Sequence, residues 1–230
     1  MIIAIDILLG LVSLLAWSAM LYKPFFKRFW DIVLSSIAIV VLLPLLLFLT
    51  ILGTIKMKGN PFFTQLRPGK KGKDGKERIF KLIKFRSMTC EKDKNGNLLP
   101  DEKRLTNYGK KLRATSLDEL PELLNILKGD MSIVGPRPLA VKYLPFYTEE
   151  ERHRHDIRPG LTGLAQIMGR NNLSWEEKFA FDIKYLTNLS LLLDIRIIFE
   201  SFISVLKHDG IGQGEEKPVS LHIERAGKEL

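Results

Sequence analysis

The segment IVLSSIAIVVLLPLLLFLTILGTI, residues 32–55, decides how the rest of the chain can be arranged. It carries no charged side chain, and as a helix it is long enough to cross a hydrocarbon core of about 30 Å. Pro44 lies near its middle, where the missing N–H group and the ring bend a helix. The segment therefore predicts a membrane helix with a kink at Pro44.

Basic residues flank this segment on both sides. The nearest Lys and Arg residues stand at positions 23, 27 and 28 before it and at positions 56, 58, 67, 70 and 71 after it. Because cytoplasmic flanks carry the excess of Lys and Arg, both ends are expected on the same side of the membrane. A re-entrant helix that breaks at Pro44 satisfies this rule, and a kinked crossing is the alternative. Arg28 and Asp31 are expected to pair where the helix enters the membrane.

Another apolar segment, Ile2–Leu21, comes first and has Asp6 as its only charge. We expect it to cross the membrane with Met1 outside, and a shallow second element is the alternative. The chain is thus divided into an extra N-terminal segment (1–22), a re-entrant helix (23–58), a cytoplasmic domain (59–210) and a polar tail (211–230). We expect this tail to be loosely ordered.

The chain has a formal net charge of +9, which implies an anionic partner. Acidic lipid headgroups, phosphorylated substrates and nucleic acid all fit such a charge. Nucleic acid is disfavoured, because the basic loop at residues 70–76 lacks interleaved aromatic side chains. The single cysteine, Cys90, excludes an internal disulfide framework and a metal site built from cysteines.

The part after residue 58 predicts an α+β domain that is mostly helical. Residues 62–65 and 78–86 read as two strands of a small β-hairpin. The spacing of leucines predicts a helix over 117–128, and further helices are predicted over 175–185 and 191–207. The last of these is apolar nearly all round, which is typical of a core helix or of a helix in a bilayer interface.

The adjacent carboxylates Asp118 and Glu119 stand in the stretch RATSLDELPE, residues 113–122, and they allow two interpretations. In the structural one, Ser116 and Glu119 form a capping box and the acids favour the helix dipole. In the catalytic one, a carboxylate attacks a phosphoanhydride, and such an attack needs cations to offset the repulsion between anions.

Arginines beside prolines are the candidate cations. Arg137 lies between two prolines, Arg158 precedes a proline, and Arg113 precedes the carboxylate pair. A proline fixes the backbone and so the aim of the neighbouring guanidinium, whose fork suits bidentate phosphate contacts. Lys84 and Arg86 on the second predicted strand are further candidates, with simple exposure on the strand face as the alternative.

A metal site is a second way to use the carboxylate pair. Glu119 beside Asp118 can hold a divalent ion that bridges phosphates, and Mg²⁺ is the usual choice for an oxygen site. His153 and His155 form only a weak metal-ligand pair, because no further ligand accompanies them in the sequence.

A series of motifs, in order along the chain, matches a known family. They are KRFWD (27–31), FTQLRPG (63–69), FKLIKFRSM (80–88), SLDELPEL (116–123), LKGDMS (127–132), VGPRP (134–138), HRHDIRPGLTG (153–163) and QIMGRN (166–171). With them the chain resembles the small monotopic phosphoglycosyl transferases of bacteria, also called polyprenyl-phosphate hexose-1-phosphate transferases. The resemblance spans residues 22–207, and it is strongest to members that serve glycoprotein pathways.

The resemblance implies a fold and a reaction. It implies a re-entrant helix broken at a proline, here Pro44, in a monotopic protein of the bacterial inner membrane whose catalytic domain faces the cytoplasm. It implies that Asp118 attacks the β-phosphate of a UDP-sugar, expels UMP and passes the sugar phosphate to polyprenyl phosphate. Glu119 would help to hold Mg²⁺. Arg113 and Arg137 would lie near the phosphates, and Arg158 is a weaker candidate.

Several points stay open in the sequence. The smallest family members lack segment 2–21 and match the tail after residue 210 poorly, so the sugar is undetermined. N-acetylated UDP-hexoses are preferred over UDP-glucose and UDP-galactose, and a homo-oligomer is neither indicated nor excluded. A non-catalytic membrane adaptor of a glycan assembly complex is the first alternative function. A lipid-phosphate phosphatase or nucleotidyl transferase is the second.

Overall fold

A computed structural model describes residues 22–169, 172–207 and 219–226. The N-terminal segment Ile2–Leu21, most of the polar tail and two residues of the QIMGRN motif lie outside the described residues. The prediction for the first segment therefore stays a prediction.

The described chain is an α+β arrangement that is mostly helical, as predicted. A π-helical turn (Tyr22–Phe26) leads into the long helix α1 (Lys27–Lys56), which is followed by the hairpin strands β1 (Phe62–Lys71) and β2 (Glu77–Phe85). The other helices are α2 (Asp101–Arg104), α3 (Asn107–Ala114), α4 (Glu122–Lys128), α5 (Glu149–Arg152), α6 (Leu164–Met168), α7 (Trp175–Thr187), α8 (Leu191–Lys207) and α9 (Leu221–Glu224). Strands β3 (Ser132–Val134) and β4 (Gly160–Thr162) pair in parallel, and 3₁₀ turns cover Leu117–Glu119, Val141–Phe146 and His153–Asp156.

Helix α1 continues through Pro44 and is the one helix of the described ranges that is long and apolar enough to cross a membrane. One of its faces packs on the domain along most of its length. Ala38, Ile39 and Leu42 contact the cluster of β2 and α4, and beyond Pro44, Leu46 and Leu49 contact a second cluster. The opposite face is open: valines, isoleucines and Phe48 there are more than half exposed. This apolar, uncovered face gives the protein its membrane association.

The hairpin extends further than its sequence predicted. β1 runs past Pro68 to Lys71 and pairs antiparallel with β2, with a register shift between Pro68 and Lys71. Pro68 is tolerated because the strand has only one hydrogen-bonded neighbour. Asn125 of α4 ties the hairpin down: it accepts a hydrogen bond from Ile83 N (3.0 Å) and donates one to Lys81 O (2.8 Å).

The helix predicted over 117–128 is interrupted. A 3₁₀ turn covers Leu117–Glu119, and α4 begins only at Glu122, after Pro121. Proline has no N–H group to donate, so it is accommodated just before the first residue of a helix rather than within one. The prediction of one continuous helix was therefore wrong, and the interruption lies directly beside the carboxylate pair.

The predicted pairing of Arg28 with Asp31 is replaced by two other sets of contacts. Arg28 donates to the carbonyls of Ile126 (2.6 Å) and Leu127 (2.9 Å), which satisfies the C-terminus of α4. Asp31 instead accepts from Lys27 (3.3 Å), Ser132 Oγ (2.9 Å) and Ile133 N (2.9 Å). The Arg28–Asp31 pair does not form because the tertiary fold supplies better-placed partners for both side chains.

The contacts of Asp31 belong to a buried group that joins α1 to α8, here called the helix anchor: Tyr22, Lys27, Asp31, Tyr185 and Asp194. Lys27 Nζ lies 2.8 Å from Asp194 as well as 3.3 Å from Asp31. The hydroxyls of Tyr22 and Tyr185 each donate to Asp194 at 2.6 Å. The anchor fixes the start of α1 on the domain.

Helix α8 begins and ends where it was predicted to. Ile197 is fully buried, whereas Leu192, Phe199 and Phe202 are largely exposed. This division supports the interfacial alternative over a core helix, because a core helix would cover its apolar side chains.

The tail is better ordered than predicted. Residues 219–226 pack on the domain, with Leu221 fully buried among the aromatic residues of α7 and of the 3₁₀ turn Val141–Phe146. Arg225 holds this segment, since it binds both carboxylate oxygens of Glu151 at 2.7 and 2.8 Å. The expectation of a loose tail was wrong for this segment. Its mostly polar composition does not indicate that Leu221 and Arg225 have specific partners in the domain.

Candidate active site

The turn that carries the two carboxylates has an unusual backbone. Ser116 has φ 55° and ψ 16°, a left-handed conformation that is uncommon for residues other than glycine. Its side chain makes no capping hydrogen bond. The capping-box interpretation of Ser116 and Glu119 is therefore wrong, and the side chain of Glu119 is free for other partners. Backbone strain of this kind concentrates at functional sites.

Glu119 is held between two cations. Its Oε1 accepts from Lys84 Nζ and from Arg137 Nη2, both at 2.6 Å. Burial alone would raise the pKa of Glu119, but Arg137 and Lys84 outweigh it and hold the pKa below its usual value. Glu119 is thus a fixed carboxylate anion.

Asp118 differs from its neighbour. Its carboxylate makes no hydrogen bond or ion pair with the described residues, although the residue is half-buried. Burial and the adjacent Glu119 raise the pKa of Asp118, against the opposing effects of Lys84, Arg113 and Arg137. A carboxylate with free oxygens, a raised pKa and cations nearby has the properties of a nucleophile for a phosphorus centre.

Lys84, Arg113 and Arg137 are the predicted cations that the fold brings to the pair. Lys84 extends from β2, and Arg137 follows β3 with 44% of its side chain exposed, so it remains accessible to a ligand. Arg113 is oriented by Ser87 Oγ, to which its Nε donates at 2.9 Å. Its charge reaches Asp118 and lowers the pKa of that carboxylate.

Arg158 and Arg86 are placed differently. Arg158 donates its Nε to Gly129 O (2.9 Å), beside Arg28 at the end of α4, and so completes the cap of that helix. Arg86 contacts neither carboxylate through any hydrogen bond or ion pair of the described chain, and its Nε is buried without a partner. The lower rank of Arg158 among the candidates from the sequence agrees with this placement, and for Arg86 exposure on the strand face had been left as the alternative.

Two members of the cluster were missed. Glu122 is buried and lies 3.1 Å from Lys84 Nζ, and burial is the main cause that raises its pKa. Arg67 lies near Arg137, and burial together with that neighbour lowers its pKa. The alternation of side chains in the hairpin could have indicated Arg67. Arg67 pairs with Phe80, and Lys84 pairs with Phe63. Since positions four apart on a strand share a face, both cations lie on the same face of the sheet.

The carboxylate pair fits a magnesium ion only in part. The described residues contain no group of three or more His, Cys, Asp and Glu side chains placed to hold a metal. Both cations bind Oε1 of Glu119, and Oε2 has no hydrogen bond in the same ranges. Mg²⁺ usually keeps several waters and uses one or two carboxylates plus substrate phosphates. Asp118 and Glu119 fit that incomplete kind of oxygen site.

The two histidines do not form a metal pair in the described part of the chain. His153 Nδ1 lies 2.7 Å from Asp156 at the surface, whereas His155 is buried. Burial and the neighbouring Arg154 lower the pKa of His155 to about 3, so its ring is neutral. Cys90 is exposed and free.

The fold and the site define a membrane-associated protein with a strained carboxylate turn enclosed by cations, an arrangement suited to phosphate chemistry. The chain belongs to the bacterial sugar transferase family, whose profile matches residues 22–208. It is therefore a transferase, as the motifs implied.

Individual relatives agree with this assignment. An uncharacterized sugar transferase, EpsL of Bacillus subtilis, is 48% identical over 187 residues, which cover 81% of this chain and 90% of that protein. The exopolysaccharide production protein ExoY of Sinorhizobium fredii is 38% identical, over 78% of this chain and 84% of its own.

A third relative is larger. The UDP-glucose:undecaprenyl-phosphate glucose-1-phosphate transferase of Klebsiella pneumoniae is 40% identical over 76% of this chain, but only 38% of that protein is covered. The present chain thus corresponds to one part of the larger relatives and to nearly the whole of EpsL.

Proposed function

We propose that this protein transfers a hexose-1-phosphate from a UDP-sugar to polyprenyl phosphate and releases UMP, as the first membrane step of bacterial glycoconjugate synthesis. The observation that carries the proposal is the contrast between the two carboxylates. Asp118 has a raised pKa and makes no hydrogen bond or ion pair within the described ranges, while Glu119 is fixed by Lys84 and Arg137. Relatives named for glucose-1-phosphate transfer to undecaprenyl phosphate support the choice of reaction.

In the first step a carboxylate oxygen of Asp118 attacks the β-phosphorus of the donor. The bond from that phosphorus to the bridging oxygen breaks, and UMP leaves with the electron pair. In the second step a phosphate oxygen of polyprenyl phosphate attacks the same phosphorus. The bond to Asp118 breaks and the carboxylate is regenerated, so atoms and charge balance over the cycle.

The surrounding cations have separate tasks in this scheme. Lys84 and Arg137 hold Glu119 and reduce the repulsion that a diphosphate meets at the carboxylates. Arg113, near the end of helix α3, lowers the pKa of Asp118 and so favours its anionic, nucleophilic form. A Mg²⁺ ion held by the free oxygens of Glu119 and Asp118 would offset the charge of the phosphates when bound.

The packing of α1 supports a re-entrant helix on the cytoplasmic face of the inner membrane. Its start is joined to the domain by Arg28 and the helix anchor, and near its end Gly53 lies against Pro61 and Tyr108. A straight helix of this length spans about 45 Å. One domain cannot contact both ends of a crossing helix from one side of a bilayer, so both ends belong to the same side.

This packing also supports a reaction that takes place at the lipid surface. Leu117 and Leu120, which flank the carboxylates, join the cluster that contains Leu46 and Leu49 of α1. The carboxylate pair therefore sits against the membrane helix just beyond Pro44. Such a position suits an acceptor whose phosphate stays at the level of the headgroups, among the anionic lipids that a chain of charge +9 attracts.

The reaction is tested by UMP release from a panel of UDP-sugars, with Mg²⁺ and polyprenyl phosphate present. The panel includes UDP-glucose, UDP-galactose and N-acetylated UDP-hexoses, so a positive result also names the donor. UMP release by the wild type and its loss in Asp118→Asn would support the proposal. No UMP from any donor with folded, membrane-bound protein would favour the adaptor, and release of phosphate or pyrophosphate would favour a phosphatase or nucleotidyl transferase.

Topology is tested by cysteine labelling in a Cys90→Ser background. Phe25→Cys and Lys58→Cys are treated separately with a membrane-impermeant maleimide in intact cells and in inverted membrane vesicles. A re-entrant helix predicts that both positions react only in the inverted vesicles. Labelling of one position in intact cells would show that α1 crosses the bilayer.

A further inference from the structure

The arginine that binds Glu119 has an accessible side chain on a tightly held backbone. Before it, Gly135 N donates to Thr162 O and Gly160 N donates to Pro136 O, both at 2.9 Å. A Cβ at Gly135, Gly160 or Gly163 would collide with the facing backbone, so glycine is required for this close approach. The motif RPGLTG therefore serves as a platform for the loop that carries Arg137.

The other side of the same residue is held by Arg154, which is 2% exposed. Arg154 Nη2 donates to Arg137 O at 2.8 Å. The same guanidinium binds Asp182 Oδ2 through Nε (3.0 Å) and Nη2 (2.7 Å), and its Nη1 lies 3.3 Å from the Tyr147 hydroxyl. Arg154 thus connects α7, where Asp182 stands, to the Arg137 carbonyl.

We propose that Arg154 and Asp182 are positioning residues for Arg137, and that this buried ion pair sets the direction in which the Arg137 guanidinium meets Glu119 and the substrate phosphates. The proposal rests on the function proposed above. Within the motif HRHDIRPGLTG, it assigns the positioning of Arg137 to Arg154, which donates to the Arg137 carbonyl. Arg158 instead caps α4.

The geometry explains why a carbonyl contact matters for a side chain. The direction of a Cα–Cβ bond is set by the two peptide planes that flank the residue. The plane before Arg137 is fixed by the Pro136 carbonyl bond to Gly160, and the plane after it by the Arg137 carbonyl bond to Arg154. Pro138 has no N–H group, so the carbonyl is the only backbone hydrogen-bonding group of the second plane.

The chemistry of the pair also favours this role. Removing two charges from water is costly, and an apolar pair of similar volume is often at least as stable. A guanidinium carries five N–H donors in a rigid fork, so it binds a carboxylate and a backbone carbonyl in fixed relative directions. A lysine at 154 keeps the charge opposite Asp182 but lacks this second, oriented contact.

The test is a double-mutant cycle on UMP release. Arg154→Lys is expected to lower kcat/KM by about tenfold to a hundredfold, the effect of moving a catalytic group by roughly 1 Å. In an Arg137→Ala background the same substitution is expected to change kcat/KM less than about twofold, because Arg154 acts through Arg137. Equal effects in the two backgrounds would overturn the proposal.

Tyr147→Phe is the matched control. It removes one partner of Arg154 and leaves the bond to Arg137 O in place, so it should lower the melting temperature but keep kcat/KM within about twofold. A loss of activity in Tyr147→Phe as large as in Arg154→Lys would also overturn the proposal. If Arg154→Lys does not fold, Asp182→Asn is carried through the same cycle with the same criteria.

If the proposed function is wrong, the wild type releases no UMP. The same double-mutant cycle is then carried out with the affinity for UDP-sugar, measured by calorimetry, in place of kcat/KM. If Arg154 positions Arg137, the Arg154→Lys variant should bind UDP-sugar more weakly than the Tyr147→Phe variant. Adding Arg154→Lys to Arg137→Ala should then weaken the binding no further. Equal affinities in Arg154→Lys and Tyr147→Phe would reject positioning without reference to the reaction.

Discussion

Two clusters in this protein are built from similar charges and differ in what they can do. In the site cluster Lys84 lies between two carboxylates, Glu119 at 2.6 Å and Glu122 at 3.1 Å. In the helix anchor Lys27 lies between Asp194 at 2.8 Å and Asp31 at 3.3 Å. A bridging lysine and two acids are common to both.

The clusters differ in access and in what completes them. The carboxylates of the anchor are buried, and its acids are completed by tyrosine hydroxyls and by groups of β3. The site cluster is completed by Arg137, which is 44% exposed, and it adjoins Asp118, whose carboxylate has no hydrogen bond in the part of the chain that the structure describes. Charge composition alone does not distinguish an anchor from a site. A site is distinguished from an anchor by an accessible cation that lies beside a carboxylate available to a ligand.

The largest effect expected from this contrast is on catalysis. Asp118→Asn should lower the rate of UMP release on the order of 10³-fold or more, because it removes the nucleophile. Asp194→Asn, a change of the same kind in the anchor, should leave the rate per folded molecule within about threefold. Rates are normalised to folded protein. Loss of activity in both variants to the same extent would mean that the clusters are not functionally distinct.

A large effect on the free energy of unfolding is expected from a change in the helix anchor. Lys27→Met leaves Asp31 and Asp194 buried without their cation and should lower the free energy of unfolding by about 3–5 kcal/mol. Lys128→Met removes an exposed lysine 3.6 Å from Asp130 and should cost no more than about 1 kcal/mol. Denaturant unfolding in detergent micelles measures both. Similar values for the two variants would contradict the anchoring role.

The smallest effect is a shift in pH dependence. Lys84 lowers the pKa of Asp118, so its removal in Lys84→Met should raise that pKa. Activity requires the anionic form of Asp118 and is lost as pH falls through its pKa. The acid limb of kcat/KM should therefore move to higher pH in Lys84→Met and stay in place in Lys27→Met. A shift to lower pH would mean that Lys84 does not act on Asp118.

Local patterns predicted the elements well and their interruption poorly. The membrane helix, the hairpin and the helix at 191–207 follow from apolar runs and alternation, which are properties of neighbouring residues. The break before Glu122 was not predicted, because the leucine spacing of 117–128 continues across it. The left-handed backbone of Ser116 was not predicted, because a serine before an apolar run indicates an ordinary helix cap. The tail was misjudged for a similar reason, since Leu221 and Arg225 find their partners far along the chain.

By itself the sequence determined the apolar helix with Pro44, the carboxylate pair Asp118 and Glu119, and a basic chain suited to phosphates and membranes. Only the tertiary structure decided that Glu119 binds cations instead of capping a helix, and that Arg137 reaches it while Arg158 does not. It also brought Lys84, Glu122 and Arg67 into one cluster. The reason is physical: backbone preference acts between neighbours, whereas the partners of a charged side chain are chosen by which distant segments the core packs together.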